Sequence, residues 1–188
     1  MNLSLYTGAV KPYLEYGYVC TPNSDGHPLI QDVITTLYLN TEIADTHGNG
    51  VLNPGVFPTG TTQATTDLTL NAGTYLYEAN TCFSSGGGTD TNRFDAIFSL
   101  YNSTAGAYIT RKAVPSNIFD VCVIANLNGQ FTIPSAANIE LRVLEHAWLN
   151  STNSSAITNI GRKSAYAATT NTTQNADQRT TIKLWKLA

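Results

Sequence analysis

Charge is the scarcest commodity in this chain. Of 188 residues, 13 are acidic and 10 are basic, so 12% carry charge, against about 25% in an average soluble domain. The net charge of −3 comes without any cluster of Lys and Arg. That argues against nucleic acid as a partner, because such surfaces concentrate cations on phosphates. No run approaches the roughly 18 apolar residues of a membrane-spanning helix, so no membrane partner is expected. The opening residues lack the basic and then apolar segments of a secretory signal. A chain made and assembled in a reducing cytosol is the expectation.

Cysteine and histidine are equally sparse. Cys20, Cys82 and Cys122 are odd in number and far apart, which excludes a disulfide-stapled scaffold and any C-x-x-C metal or redox motif. Cys122, between Val121 and Val123, reads as a small buried apolar residue. His27, His47 and His146 are too scattered for a metal cluster, and H-E-x-x-H is absent. Glu145 and His146 are adjacent, so on a strand they point to opposite faces. Gly86-Gly87-Gly88 lacks the Lys of a phosphate-binding loop. There is no G-x-S-x-G elbow, and the aspartates form no evident pair. The expectation is a protein that is not an enzyme, with no cofactor and no metal. Five N-x-[ST] sequons, at Asn2, Asn102, Asn150, Asn153 and Asn171, read as by-products of composition.

What fills the space is small and polar: 27 Thr and 18 Asn. Apolar residues still reach 42%, enough for a core. Helical periodicity is nearly absent. Short β-branched and aromatic runs recur instead, punctuated by Gly, Pro, Asn and Ser, which is the pattern of a sandwich or barrel. Runs at 34–40, 67–70, 74–82, 93–101, 107–113, 118–125, 130–133, 138–143, 162–168 and 179–187 predict about nine or ten strands. The segment 51–57, broken by Pro54 and Gly55, is at best an edge strand. Thr46-His-Gly-Asn-Gly50 reads as a turn. Loops at 84–92, 149–161 and 169–178 are rich in Asn, Thr and Ser.

Two segments stand out. In Thr181–Leu187, Ile182 and Leu184 fall on one face of a strand, and Trp185 and Leu187 on the other. Apolar residues on both faces predict that the second face is covered too, by a neighbouring segment or another subunit; the alternative is that Trp185 caps an open end of the core. Residues 1–32 hold three prolines and Tyr6, Tyr13, Tyr16 and Tyr18, with Leu3 and Leu5. Such residues are poorly placed in a solvated tail, and Tyr favours interfaces. They read as a docking arm, removable without loss of the domain at 33–188, with an extra strand or belt on that domain as the alternative.

Several short motifs then align in one order. Thr36-Leu-Tyr-Leu-Asn-Thr-Glu42 with Asp45, followed by Leu68-Thr-Leu-Asn-Ala-Gly-Thr-Tyr75, resembles the opening of a domain found in many bacteriophage structural proteins. Phe94–Asn102, Gly129–Ile133, Ile139–His146 and the ending Ile182-Lys-Leu-Trp-Lys186 continue the likeness, which covers residues 34–188. Asn71 stands where the pattern usually has Pro, and the turn remains intact. The resemblance implies an all-β antiparallel jelly-roll sandwich similar to the C1q and tumour-necrosis-factor (TNF) group, generally a homotrimer, with Trp185 and Leu187 at the trimer interface. It also implies a virion component without catalytic residues. The leading expectation is a capsid decoration, or cement, protein. Its arm (Leu3, Leu5, Tyr6, Tyr13, Tyr16, Tyr18) would dock on the major capsid protein or another virion protein. The alternative is a tail-fibre or spike tip whose loops bind a host surface glycan. The absence of a shaft, whether repeat or coiled coil, favours the shell.

Overall fold

Residues 12–20, 33–56, 65–85, 93–117, 123–148, 158–160 and 177–187 are described by a computed structural model. They form twelve strands: β1 (Tyr13–Cys20), β2 (Ile34–Thr36), β3 (Thr41–Asp45), β4 (Gly50–Asn53), β5 (Asp67–Leu70), β6 (Gly73–Ser85), β7 (Arg93–Asn102), β8 (Ala107–Asn117), β9 (Val123–Ile133), β10 (Ala137–Trp148), β11 (Thr158–Ile160) and β12 (Asp177–Lys186). No helix occurs among the described residues. One sheet runs β9-β6-β12-β1-β3, with β11 added to the end of β6. The other runs β4-β5-β10-β7-β8, with β2 beside β10. Every pairing is antiparallel. The first described strand lies beside the last, and β5 lies beside β10, so the chain is wound as a jelly roll.

Period-two alternation decides which side chains meet between the sheets. In β6, Tyr75, Tyr77 and Ala79 point inward and are buried, while Leu76 and Glu78 are exposed. Tyr75 stacks on Phe131 of β9 at 5.5 Å between ring centroids, and Tyr77 meets the same ring at 5.8 Å. Phe98, Leu100, Ile139, Leu141 and Val143 close the core from the β10 sheet. Each fully buried side chain of this size contributes about 1.5–3 kcal/mol. The hydroxyls of Thr81 and Thr180 are buried there too, and satisfy each other at 2.9 Å.

The expected strands at 118–125 and 130–133 differ from what forms. β9 is continuous from Val123 to Ile133 and pairs with β6 without a break in register. Gly129 lets it pass: a Cβ there would lie 3.0 Å from the Tyr77 hydroxyl and 3.1 Å from its ring. The glycine marks a close approach inside a strand, not a turn. Conversely, only Ile34–Thr36 of the 34–40 run is a strand. Leu37 and Leu39 are nevertheless buried, and the Leu37 amide donates to the Leu141 carbonyl at 2.8 Å. The expected strand at 162–168 lies outside the described residues.

The boundary at residue 32 is corrected. β1 is inserted between β12 and β3, in register with both. Leu14, Tyr16 and Tyr18 point into the core, with relative exposures of 0%, 0% and 4%. Tyr16 and Tyr18 are therefore core residues, and neither is available to dock on anything. An eight-residue run whose alternate positions are Leu14, Tyr16 and Tyr18 presents one apolar face, and burying it outweighs leaving it as a tail. Leu3, Leu5 and Tyr6 lie outside the described residues.

Candidate assembly interface

The outer face of the β1 sheet is built in cross-strand rows. One row is Tyr13–Trp185–Leu76–Gln130, each residue opposite the next. Trp185 is half-buried, and its ring lies 5.5 Å from that of Tyr13, tilted by 40°. Leu76 beside it is 40% exposed. Leu187 follows β12, half-buried, with its amide donating to the Thr74 carbonyl at 2.7 Å. The next row is Glu15–Lys183–Glu78–Asn128. Lys183 Nζ is 3.9 Å from the Glu15 carboxylate, and the Tyr13 hydroxyl donates to the same carboxylate. A half-buried pair at this length contributes little to stability, so its effect is to set orientation and sign. Burial, together with the Glu15 carboxylate, holds the Tyr13 phenol above its ordinary range.

Asp45 positions the Tyr13 end of this row. Its carboxylate accepts from the backbone N–H of His47, Asn49 and Gly50 at 3.0, 3.2 and 3.2 Å, which closes the expected turn at 46–50. The turn then clasps β1: the Thr46 amide donates to the Tyr13 carbonyl, and the Tyr13 amide to Thr46 Oγ1, both at 3.0 Å. Lys186 Nζ donates to Asn49 Oδ1 at 3.1 Å.

Trp185 and Leu187 thus occupy the outer face, as their alternation required. Tyr13 belongs with them, as part of the sheet and not of an arm. Leu76 and Tyr13 could not be found by inspecting each run alone, because the pairing register makes them neighbours of Trp185. A second exposed apolar site lies at the sandwich edge, where β8 and β9 end the two sheets. Ile124 is 71% exposed there, beside a notch of about 60 Å³ lined by Phe98, Val114, Ala125, Lys112 and Asn126. Lys112 Nζ donates to Asn126 Oδ1 at 2.9 Å. Among the described residues no group of three or more His, Cys, Asp or Glu is placed to hold a metal, and no helix is long and apolar enough to cross a membrane. The Asn/Thr/Ser loops lie outside the described residues except where they enter β6, β11 and β12.

Among solved structures, the crystal structure of murine APRIL at pH 5.0 superposes with a TM-score of 0.51 at 10% identity, covering 95% of this chain and 100% of that one. The fold is a C1q/TNF-like jelly roll. Murine APRIL at pH 8.0 gives a TM-score of 0.45 at 10% identity, covering 95% of this chain and 100% of that one. The VP2 subviral particle of infectious bursal disease virus gives 0.38 at 11% identity, over 94% of this chain and 38% of that one. No model of a protein family and no curated protein matches the chain.

Among the described residues, one buried side-chain group departs from full hydrogen bonding. The Tyr16 hydroxyl is buried and has no protein partner. Leaving a polar group so buried costs about 1–3 kcal/mol. Tyr16→Phe is therefore expected to keep stability at pH 7 unchanged or raise it by about 1 kcal/mol, read from urea unfolding. Burial first, and then the Asp45 charge, push the Tyr16 phenol well above its ordinary range and Tyr75 up to about 12. Both phenols ionise more readily when unfolded. Their contribution is complete below the unfolded value of about 10 and is lost as pH rises through the folded values. Unfolding midpoints should fall above about pH 10, and less steeply in Tyr16→Phe. Equal slopes for the two proteins would contradict this assignment.

Proposed function

We propose that this protein is a virion structural subunit without catalytic activity, a homotrimeric capsid decoration protein that docks on the head and stabilises it. The observation carrying this reading is the Tyr13–Trp185–Leu76 row, a half-exposed aromatic and aliphatic strip on the outer face of a sheet whose inner face is already a complete core. The motif resemblance to phage structural proteins and the jelly-roll fold support the same reading. A threefold ring needs heterologous contacts, in which two different patches of one chain meet. The edge at Ile124 and Lys112 is a suitable complement, because it offers an apolar side chain and a cation to a face carrying Leu76, Trp185, Glu15 and Glu78. Leu3, Leu5 and Tyr6 remain as the docking arm of this proposal.

The expected result is a trimer of the 20.2 kDa chain in sedimentation equilibrium, converted to a folded monomer by Leu76→Glu, which sets a carboxylate beside Glu78 in the apolar row. A wild-type monomer would remove the basis for the reading. Virions lacking the protein should assemble but release their DNA at lower temperature than complete virions. Equal heat survival would reject the cement role.

A further inference from the structure

The outer face of the β10 sheet carries a second pattern. Ile34–Leu144–Ile97–Ala113 form a continuous cross-strand row over β2, β10, β7 and β8. None of the four is fully buried, and Ile34 is 40% exposed. The adjoining row is Thr36–Arg142–Ser99–Arg111, and the next sets Glu140 beside Tyr101 and Tyr108. The rings of Tyr101 and Tyr108 meet edge to face at 4.9 Å. The Arg142 guanidinium lies 3.6 Å from the Tyr101 centroid, and that of Arg111 4.5 Å from the Tyr108 centroid. Arg142 is also held by Glu140 at 2.8 Å, and Glu140 in turn accepts from the Thr36 hydroxyl at 3.0 Å. Arg111 is exposed and has no carboxylate partner among the described residues.

Stacking on the two rings holds both guanidiniums in place, so little side-chain freedom remains to be lost on binding. Tyr and Arg are the residue types that dominate binding energy at protein interfaces. The aliphatic row offers no hydrogen-bonding group to a sugar, but it matches the apolar strip of a protein surface. Glu140 and Asp67 lie on the β5–β10 side of the face, so its β7–β8 side, where the Arg111 charge is uncompensated, favours an acidic partner. If neighbouring copies cover the β1 sheet, this is the broad face turned away from them.

We propose that the β10-sheet face, with Arg111, Tyr108, Tyr101 and the Ile34–Ala113 row, is a docking surface for the head shell, met where shell carboxylates adjoin aliphatic side chains; this rests on the decoration reading above. The test is cosedimentation of the purified full-length protein with heads from phage lacking it. Arg111→Glu and Ile34→Glu, both exposed on this face, should each weaken binding about tenfold or more, with oligomeric state and melting temperature retained. Thr104→Glu, in the exposed β7–β8 turn, should leave binding unchanged. Wild-type affinity should also fall between about 0.05 M and about 0.5 M salt. Wild-type binding with undiminished binding by both variants would overturn the surface and leave the decoration reading standing. No wild-type binding would overturn both. Dissociation of the oligomer by Arg111→Glu would assign the face to a second copy, and displacement of heads by sialyllactose would assign it to an acidic saccharide. Either of these results overturns the proposal.

Discussion

Deleting residues 1–20 is expected to leave no folded protein, read as loss of the cooperative urea transition and of near-ultraviolet dichroism. The truncation removes β1 from between β12 and β3. Three core side chains, Leu14, Tyr16 and Tyr18, go with it, each worth about 1.5–3 kcal/mol. The backbone groups of β12 and β3 that pair with β1 also lose their partners, and Ile182 and Leu184 lose their neighbours. The sum is comparable with the entire 5–15 kcal/mol that holds a domain folded. Deleting residues 1–11 spares every described pairing and should leave the transition in place. That shorter deletion is the one that tests Leu3, Leu5 and Tyr6 as a docking arm. A folded protein lacking residues 1–20 would show that β1 is dispensable.

Gly50→Val is expected to cost about 3 kcal/mol. Gly50 opens β4 where the chain passes over the end of the core. A Cβ there would lie 2.7 Å from the Tyr16 hydroxyl, 2.8 Å from Leu14 Cδ2 and 3.0 Å from Leu70 Cδ2. None of the three can retreat, since Tyr16, Leu14 and Leu70 are all 0% exposed. The amide of Gly50 is meanwhile fixed by Asp45 at 3.2 Å, so the backbone cannot lift away cheaply. Because the nearest atom is the partnerless hydroxyl, Tyr16→Phe should recover part of the loss. The double-mutant cycle in urea should show coupling of about 0.5 kcal/mol or more; strict additivity would place the clash elsewhere.

Each of these predictions sits where the sequence and the fold part company. Alternation in 74–82 and 138–143 was legible, because each strand there has one dry and one wet face. So was the two-faced character of 181–187, which put Trp185 opposite Ile182 and Leu184. The residues at 13–20 alternate just as well, but Pro12 and Pro22 bracket the run, and its tyrosines suit an interface as readily as a core. Only the partners on both sides decide which it is. Gly129 presents the same difficulty, since beside Asn128 it looks like a turn until Tyr77 is set across from it.

The all-β class, most strand positions and the sidedness of the last strand are legible along the chain, since these depend on local alternation and turn chemistry. Folding is what makes β1 interior and joins Tyr13, Trp185 and Leu76 in one row. It also sets the two arginines over the two tyrosines beside an aliphatic strip. All of these depend on strand order and register, which join residues up to about 170 positions apart. No local pattern specifies register across such a separation; it is set by which pairing buries both apolar faces at once.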